Sequence, residues 1–192
     1  MLTFKNFNIA DWFSFYRILV VPFLIALIWL GDRDLFTWFL LISYSTDAID
    51  GFLARKLKIS SARGSQLDSI GDQITLIVAL IGLFVFENEF MMDNYVLILI
   101  AFVPYIFQMI LAFYKYGKTT AFHTYLAKFS AVLQAVFILL TLFFGPVYWL
   151  FYLMIAIGVL ETIEEITLIY MYDKWVEDVK GIFWALHDKR RE

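Results

Sequence analysis

Four aspartates stand at fixed spacing between two strongly apolar stretches: Asp47 and Asp50, then Asp68 and Asp72. Carboxylates in or beside a membrane span are costly, which makes them candidates for a functional site. On a helix, Asp47, Asp50 and Ala54 share one face at i, i+3 and i+7. Gly64, Asp68 and Asp72 recur at steps of four and share a face of the next helix. The short connection predicts antiparallel neighbours, so two pairs of carboxylates face one small volume. Left unneutralised, they repel one another and take up protons. A divalent ion relieves that repulsion, and hard oxygen donors suit Mg²⁺ or Mn²⁺. The chain has no Cys and only two His, which argues against zinc. The plainer alternatives are helix-end acids facing water and glycines that serve helix packing. Four acids at this spacing favour a site.

The full stretch reads D-x2-D-G-x2-A-R-x8-G-x3-D-x3-D, filled by Asp47, Asp50, Gly51, Ala54, Arg55, Gly64, Asp68 and Asp72. It resembles the signature of the class I CDP-alcohol phosphatidyltransferases, and eight fixed positions make the signal specific. The resemblance implies transfer of a phosphatidyl group from a CDP-linked lipid to a small alcohol, with release of CMP. By motif position, Asp47, Asp50 and Asp68 are implied metal ligands, and Asp72 the base for the acceptor hydroxyl while also reaching metal. Two Mg²⁺ or Mn²⁺ ions are implied. Gly51, Ala54 and Gly64 are small where a nucleotide needs close backbone approach. Arg55 offers phosphate a planar fork. Ser61 falls where similar enzymes place a hydroxyl near the donor. Similar enzymes are homodimers, so a homodimer is expected.

The elements that must position these residues are apolar. The chain is 62% hydrophobic and 17% charged, with mean hydropathy +0.76, well outside the range of ordinary soluble domains. Apolar runs of about 20 residues suit helices across a hydrocarbon core about 30 Å thick. Six are predicted, at roughly 12–30, 35–53, 66–86, 95–114, 122–144 and 147–170. Residues 55–63 form a basic connection and 87–94 an acidic, polar loop. Residues 1–10 are expected to lie at the interface. Residues 172–192, where Trp175, Val179, Phe183 and Leu186 interrupt charges, are expected to form an amphipathic helix on the membrane. The expected fold is therefore all-α, an integral membrane bundle of six helices with short amphipathic helices at the termini, in a single domain over 1–192. No internal repeat, low-complexity stretch or removable signal peptide is read. A formal net charge of −3 offers no basic surface for nucleic acid.

Six spans put both termini on one side. That side holds Lys5, Arg55, Lys56, Lys58, Arg63, Lys115, Lys118 and the basic residues of the tail; the other holds Arg33. The positive-inside rule makes the first side cytoplasmic, the inner membrane being the location if the source is bacterial. Polar residues within the spans, including Arg17, Gln108, Lys128 and Glu161, also cluster toward that side. A channel or carrier is expected to continue polar groups toward both faces. The asymmetry instead predicts a cavity open to the cytoplasm and the inner leaflet. A divalent-cation transporter is the rival reading. The small residues and Arg55 favour the enzyme, since ion transit needs no nucleotide cradle.

Arg17, Lys118, His123 and Lys128 are candidates for an acceptor pocket, and Glu161, Glu164 and Glu165 are placed to face a cationic amine. Snorkelling to headgroups is the ordinary alternative for Arg17 and Lys128, and an interfacial histidine for His123. Glycerophosphate-using members carry Pro and Lys where this chain has Ser69 and Gln73, yet Lys118-Thr119-Thr120 resembles a segment of those enzymes. Inositol phosphate, serine, ethanolamine and choline stay open beside glycerol phosphate.

Overall fold

The computed structural model describes the backbone of residues 9–57 and 62–189 and the side chains of residues 15–46, 49 and 71–187. Eight helices lie among the described residues: α1 Ile9–Leu30, α2 Arg33–Leu57, α3 Ala62–Phe86, α4 Asn88–Asp93, α5 Tyr95–Tyr116, α6 Tyr125–Phe144, α7 Tyr148–Met171 and α8 Ile182–Lys189. No strand occurs among them; Ala121 and Glu177 form an isolated bridge. Each expected span corresponds to one long helix. Among the described residues, two, Tyr95–Tyr116 and Tyr125–Phe144, are long and apolar enough to cross a membrane. On α5 the residues Leu99, Ile100, Phe102, Val103, Phe107 and Ile110 are all exposed. An apolar surface that continuous suits hydrocarbon rather than water.

Contacts divide the chain into two compact units. The first holds Met1–Asn88 with Ile138–Gly145, the second Glu89–Phe137 with Pro146–Glu192.

In the first unit, α1 packs along both α2 and α3. The chain reverses after α1 through Gly31 at φ +72°, a left-handed conformation that glycine adopts without a Cβ penalty. Asp32 then caps α2, its Oδ1 accepting from the Leu35 amide at 3.0 Å. Leu24, Leu27, Phe36, Leu40, Val78, Ala79 and Leu83 are buried between the helices. Phe36 lies in a slot opened by Gly82: a Cβ there would come within 2.3 Å of the Phe36 ring. Phe36 and Gly82 therefore stand at one height in the antiparallel pair, and this contact sets its register. Phe23 meets Phe39 edge to face, with centroids 4.7 Å apart, and sets the register of α1 on α2.

Arg33, the basic residue expected on the side away from the motif, has a structural task. Its Nε donates to the Leu142 carbonyl at 2.7 Å and its Nη2 to the Thr141 carbonyl at 3.0 Å. Nη2 also pairs with Glu87. The carbonyls of a last helical turn lack partners within the helix, and a cation there also complements the helix dipole. Arg33→Gln is expected to destabilise the fold by about 1–3 kcal/mol, the scale of hydrogen bonds to a charged group. Thermal unfolding in detergent measures the loss, and an unchanged midpoint would refute the role.

In the second unit, α5 packs against α7, and Phe90 is buried against Phe137, Tyr148 and Phe151. Phe90 belongs to α4, so the segment read as a polar loop contains a short helix seated by one aromatic anchor. The fifth span was expected from residue 122, but the helix begins at Tyr125. Before it, the backbone binds the tail: the Asp178 amide donates to the Ala121 carbonyl at 3.1 Å, and the Tyr125 amide to the Lys180 carbonyl at 3.2 Å.

The tail therefore departs from the expected continuous amphipathic helix. Residues 172–181 are irregular, and only Ile182–Lys189 is helical. Asp178 has φ +55° and Gly181 φ +148°, neither compatible with a right-handed helix. Glu164 of α7 caps α8, its Oε1 accepting from the Ile182 amide at 3.2 Å. Tertiary bonds to residues 119–125 outweigh the local amphipathic pattern. The expected N-terminal interfacial segment lies outside the described residues up to position 8; α1 begins at Ile9.

Candidate active site

Helix α2 carries Asp47, Asp50, Gly51, Ala54 and Arg55, and α3 carries Gly64, Asp68 and Asp72. Both stretches read as the ends of spans are thus helical through the motif, and of the connection expected over 55–63, residues 55–57 and 62–63 are helical while 58–61 lie outside the described residues. Ser61 lies outside the described residues, as do the side chains of Asp47, Asp50, Ala54, Arg55 and Asp68. Backbone register still places these positions. From the Phe36–Gly82 contact, eleven residues along α2 lead to Asp47 and ten back along α3 lead to Asp72. Fourteen in each direction lead to Asp50 and Asp68. Because both helices rise about 1.5 Å per residue, the two acid pairs sit at matching heights. Counting six residues from the Phe23–Phe39 contact brings Arg17 of α1 level with Ser45, close beneath Asp47.

Asp72 is the one motif acid whose side chain is described, and Arg17 holds it. Nη1 of Arg17 donates to Oδ1 of Asp72 in an ion pair. The Arg17 side chain is only 2% exposed, whereas that of Asp72 is 50% exposed. The guanidinium approaches from the packed interior and leaves the outer side of the carboxylate accessible. Arg17 was a candidate for the acceptor pocket; its observed partner is an acid of the motif.

One turn deeper, two hydroxyls stand out. Seven residues from Phe36 and from Gly82 lie Ser43 and Thr75, again at matching heights. Their exposures are 1% and 2%, and neither hydroxyl has a hydrogen-bond partner. Thr141 in α6 is likewise buried with an unpartnered hydroxyl, whereas the helix hydroxyls at Thr37, Ser45, Thr46, Thr162 and Thr167 donate to their own backbone. A buried hydroxyl without a partner costs about 1–3 kcal/mol. Ser43→Ala and Thr75→Val are therefore expected to keep the unfolding midpoint or raise it. A fall of several degrees in either variant would mean the hydroxyl is satisfied after all. Sequence reading passed over both, although they stand four residues before Asp47 and three after Asp72.

In the second unit, the Glu165 carboxylate is buried, and its Oε2 accepts from Gln108 Nε2 and from Thr120 Oγ1, both at 2.6 Å. Gln108 is 4% exposed and Glu165 8%. Glu164 caps α8, as described above. Glu165 and Glu164 are thus engaged within this unit. Lys118 lies over the Trp175 ring, 3.1 Å from its centroid, a cation–π contact, and Trp175 Nε1 donates to the Thr119 carbonyl at 3.0 Å. His123, at φ +52°, and Lys128 are exposed. Of the residues considered for an acceptor pocket, Lys118 is in contact with the tail, and His123 and Lys128 are exposed. Among the described residues, no group of three acidic or histidine side chains is placed to hold a metal ion.

The sequence also has relatives. It is 31% identical over 81 residues to a "CDP-diacylglycerol--glycerol-3-phosphate 3-phosphatidyltransferase" of Yersinia pestis (strain Pestoides F), covering 38% of this chain and 42% of that protein. A protein of the same name from Haemophilus influenzae is 30% identical over 79 residues, covering 40% and 43%. Another, from Wigglesworthia glossinidia brevipalpis, is 31% identical over 86 residues, covering 43% and 47%. The chain therefore spans less than half the length of these curated relatives. No solved structure matches it. The sequence profile described as CDP-alcohol phosphatidyltransferase matches residues 7–163, from before α1 into α7 and across every position of the aspartate motif. On that match, this chain belongs to the CDP-alcohol phosphatidyltransferase family.

Proposed function

We propose that the protein transfers a phosphatidyl group from a CDP-linked lipid, CDP-diacylglycerol in the first instance, to a small alcohol, releasing CMP in phospholipid synthesis. The observation that carries this reading is the complete motif on two antiparallel helices, with its last acid, Asp72, half exposed and held from the interior by Arg17.

The acceptor oxygen attacks the phosphorus that bears the diacylglycerol. The bridging oxygen leaves with CMP, and the hydroxyl proton passes to Asp72. Phosphoryl transfer depends on alignment and charge neutralisation more than on covalent catalysis. Arg55 holds the diphosphate through its fork, and Gly51, Ala54 and Gly64 let the nucleotide approach the backbone, with Ser61 beside the donor. The donor set of this site is carboxylate oxygen only, at matched heights on α2 and α3, and it fits Mg²⁺ or Mn²⁺. Asp47, Asp50 and Asp68 would hold the ions, two by family resemblance, with Asp72 at the edge of the set. Bound there, the ions would neutralise the diphosphate and the leaving CMP.

The setting we infer is one membrane domain with six spans, both termini and the aspartates on the cytoplasmic side, and a homodimeric assembly. The Lys/Arg asymmetry supports the orientation, and the two helices long enough to cross support the membrane. The relatives' printed name makes glycerol 3-phosphate the first acceptor to try.

The test is CMP release from CDP-diacylglycerol by purified protein with Mg²⁺, run against glycerol 3-phosphate, inositol phosphate, serine, ethanolamine and choline. One acceptor supporting release is the expected outcome. Divalent-cation flux into liposomes, with no CMP release for any acceptor, would favour the transporter reading instead.

A further inference from the structure

We propose that the face shared by α8 and the start of α6 is a membrane-interface site for anionic phospholipid, with apolar side chains at the acyl boundary and two lysines on the lipid phosphates. The inference concerns the second unit alone and goes beyond the phosphatidyl-transfer reading. Tyr125 opens α6, a helix long and apolar enough to cross a membrane. Tyr125, Phe129, Val132 and Val136 are all exposed. They recur at i, i+4, i+7 and i+11, so they form one stripe along that helix. A stripe of that kind suits hydrocarbon, which sets Tyr125 at the level where hydrocarbon gives way to headgroups. Trp184 of α8 meets the Tyr125 ring edge to face, with centroids 5.5 Å apart, so α8 sits at the same level. The inner side of α8 is seated: Ala185 is 1% exposed and belongs to a core with Phe122 and Leu168. On its outer side Phe183 is 72% exposed, and Trp184 and Leu186 are exposed as well. Aromatic side chains at this depth are an ordinary means of holding a segment at the interface.

Charge selects the lipid. Lys128, three residues after Tyr125, borders the stripe and is exposed. The Lys180 carbonyl accepts from the Tyr125 amide at 3.2 Å, which fixes Lys180 beside Tyr125, and it too is exposed. Long cationic side chains reach from an apolar surface to headgroup phosphate, and each one near an anionic surface adds to the attraction. The exposed acids close in sequence, Glu177 and Asp178, belong to the stretch that bonds Ala121, ahead of the patch. This contact with lipid is narrower than the amphipathic tail helix expected from the sequence. Bonds from the backbone and from Trp175 tie the preceding stretch to the α5–α6 connection, so α8, Lys180 and the first turn of α6 carry the contact.

The experiment places spin labels on single cysteines of the whole chain in nanodiscs, since the native sequence has no Cys. Phe183→Cys and Leu186→Cys probe the patch, Val136→Cys marks hydrocarbon, and Lys174→Cys, at an exposed position of the tail, marks water. Collision rates with oxygen and with a water-soluble nickel chelate report depth. At Phe183→Cys and Leu186→Cys, access to oxygen is expected to exceed access to the chelate severalfold, as at Val136→Cys, with the reverse at Lys174→Cys. Values matching Lys174→Cys would overturn the site. Poor access to both reagents would also overturn it, and label–label broadening would then identify a second copy as the cover. The charge arm compares unfolding midpoints in nanodiscs of phosphatidylcholine and of an equal mixture with phosphatidylglycerol. A ligand of the folded state raises the midpoint, so phosphatidylglycerol is expected to raise it by several degrees. Lys128→Gln combined with Lys180→Gln is expected to lose most of that rise, whereas Lys174→Gln keeps it. No rise in the wild type, or a full rise in the double variant, would overturn the assignment to anionic lipid. Neither arm reads CMP release, so failure of this site and failure of the transferase reading are told apart.

Discussion

Asp47→Asn, Asp50→Asn and Asp68→Asn are each expected to abolish CMP release and to weaken divalent-ion binding. Each substitution keeps the size of the side chain and removes one anionic oxygen donor. Mg²⁺ demands near-ideal octahedral geometry and is held by few carboxylates, so losing one donor of three cannot be absorbed by the others. The matched heights of Asp47 with Asp72 and Asp50 with Asp68 place all three positions within one turn of the α2–α3 pair. Because that pair is held in register by Phe36 and Gly82, more than one turn away, the variants are expected to fold normally. Unfolding midpoints should stay near wild type or rise, since removing one of several like charges relieves repulsion. Activity assays with Mn²⁺ titrations, together with a control in EDTA, provide the measurement. Full activity in EDTA with no divalent ion would defeat the assignment.

How far the sequence could be read varied with the range of the interaction. The six long apolar runs and the helical phase of the motif follow from periodicity and length, which are local properties. Asp47 and Asp50 in α2, and Gly64, Asp68 and Asp72 in α3, stand on the helices expected for them. The pairing of Arg17 with Asp72 joins residues 55 apart, and no local pattern announces it. Taken alone, a basic residue near the end of a span reads as snorkelling or as a ligand for substrate. Only the packing of α1 against α3 makes it a partner of the motif. The slot at Gly82 was equally hidden, because a glycine in an apolar helix has no signature apart from the ring that fills it.

The tail shows the reverse failure, in which a local pattern was present and lost. Trp175, Val179, Phe183 and Leu186 fall at helical spacing, yet residues 172–181 are irregular. Backbone groups there bind the Ala121 carbonyl and the Tyr125 amide, and Trp175 binds the Thr119 carbonyl. Tyr116 reinforces the arrangement, its hydroxyl donating to the Tyr172 carbonyl at 2.6 Å. Helix propensity is worth a few tenths of a kcal/mol per residue, while each such bond contributes about 0.5–1.5 kcal/mol net. Several tertiary bonds therefore outweigh a marginal helix. The tail also engages Lys118, a candidate for the acceptor pocket, through the Trp175 ring.

Asp72→Asn is expected to lower turnover by about a hundredfold or more, the usual scale for loss of a general base, while CDP-lipid binding stays largely intact. Asn cannot take the acceptor's proton, but it can still accept the hydrogen bond that Arg17 donates. The local geometry should persist, although Arg17 then faces an amide in place of that carboxylate. The Asp72 side chain is half exposed and Asn fills the same volume, so the variant should remain folded. Arg55→Lys gives the contrasting signature. It keeps the charge and loses the bidentate fork, and phosphate is held in the ground state as well as in the transition state. The apparent donor KM should therefore rise as turnover falls. Donor binding measured beside steady-state kinetics for both variants separates the two roles. If Asp72→Asn abolished donor binding while turnover per bound donor stayed normal, Asp72 would be a ligand or a structural acid. The proton would then leave by another route.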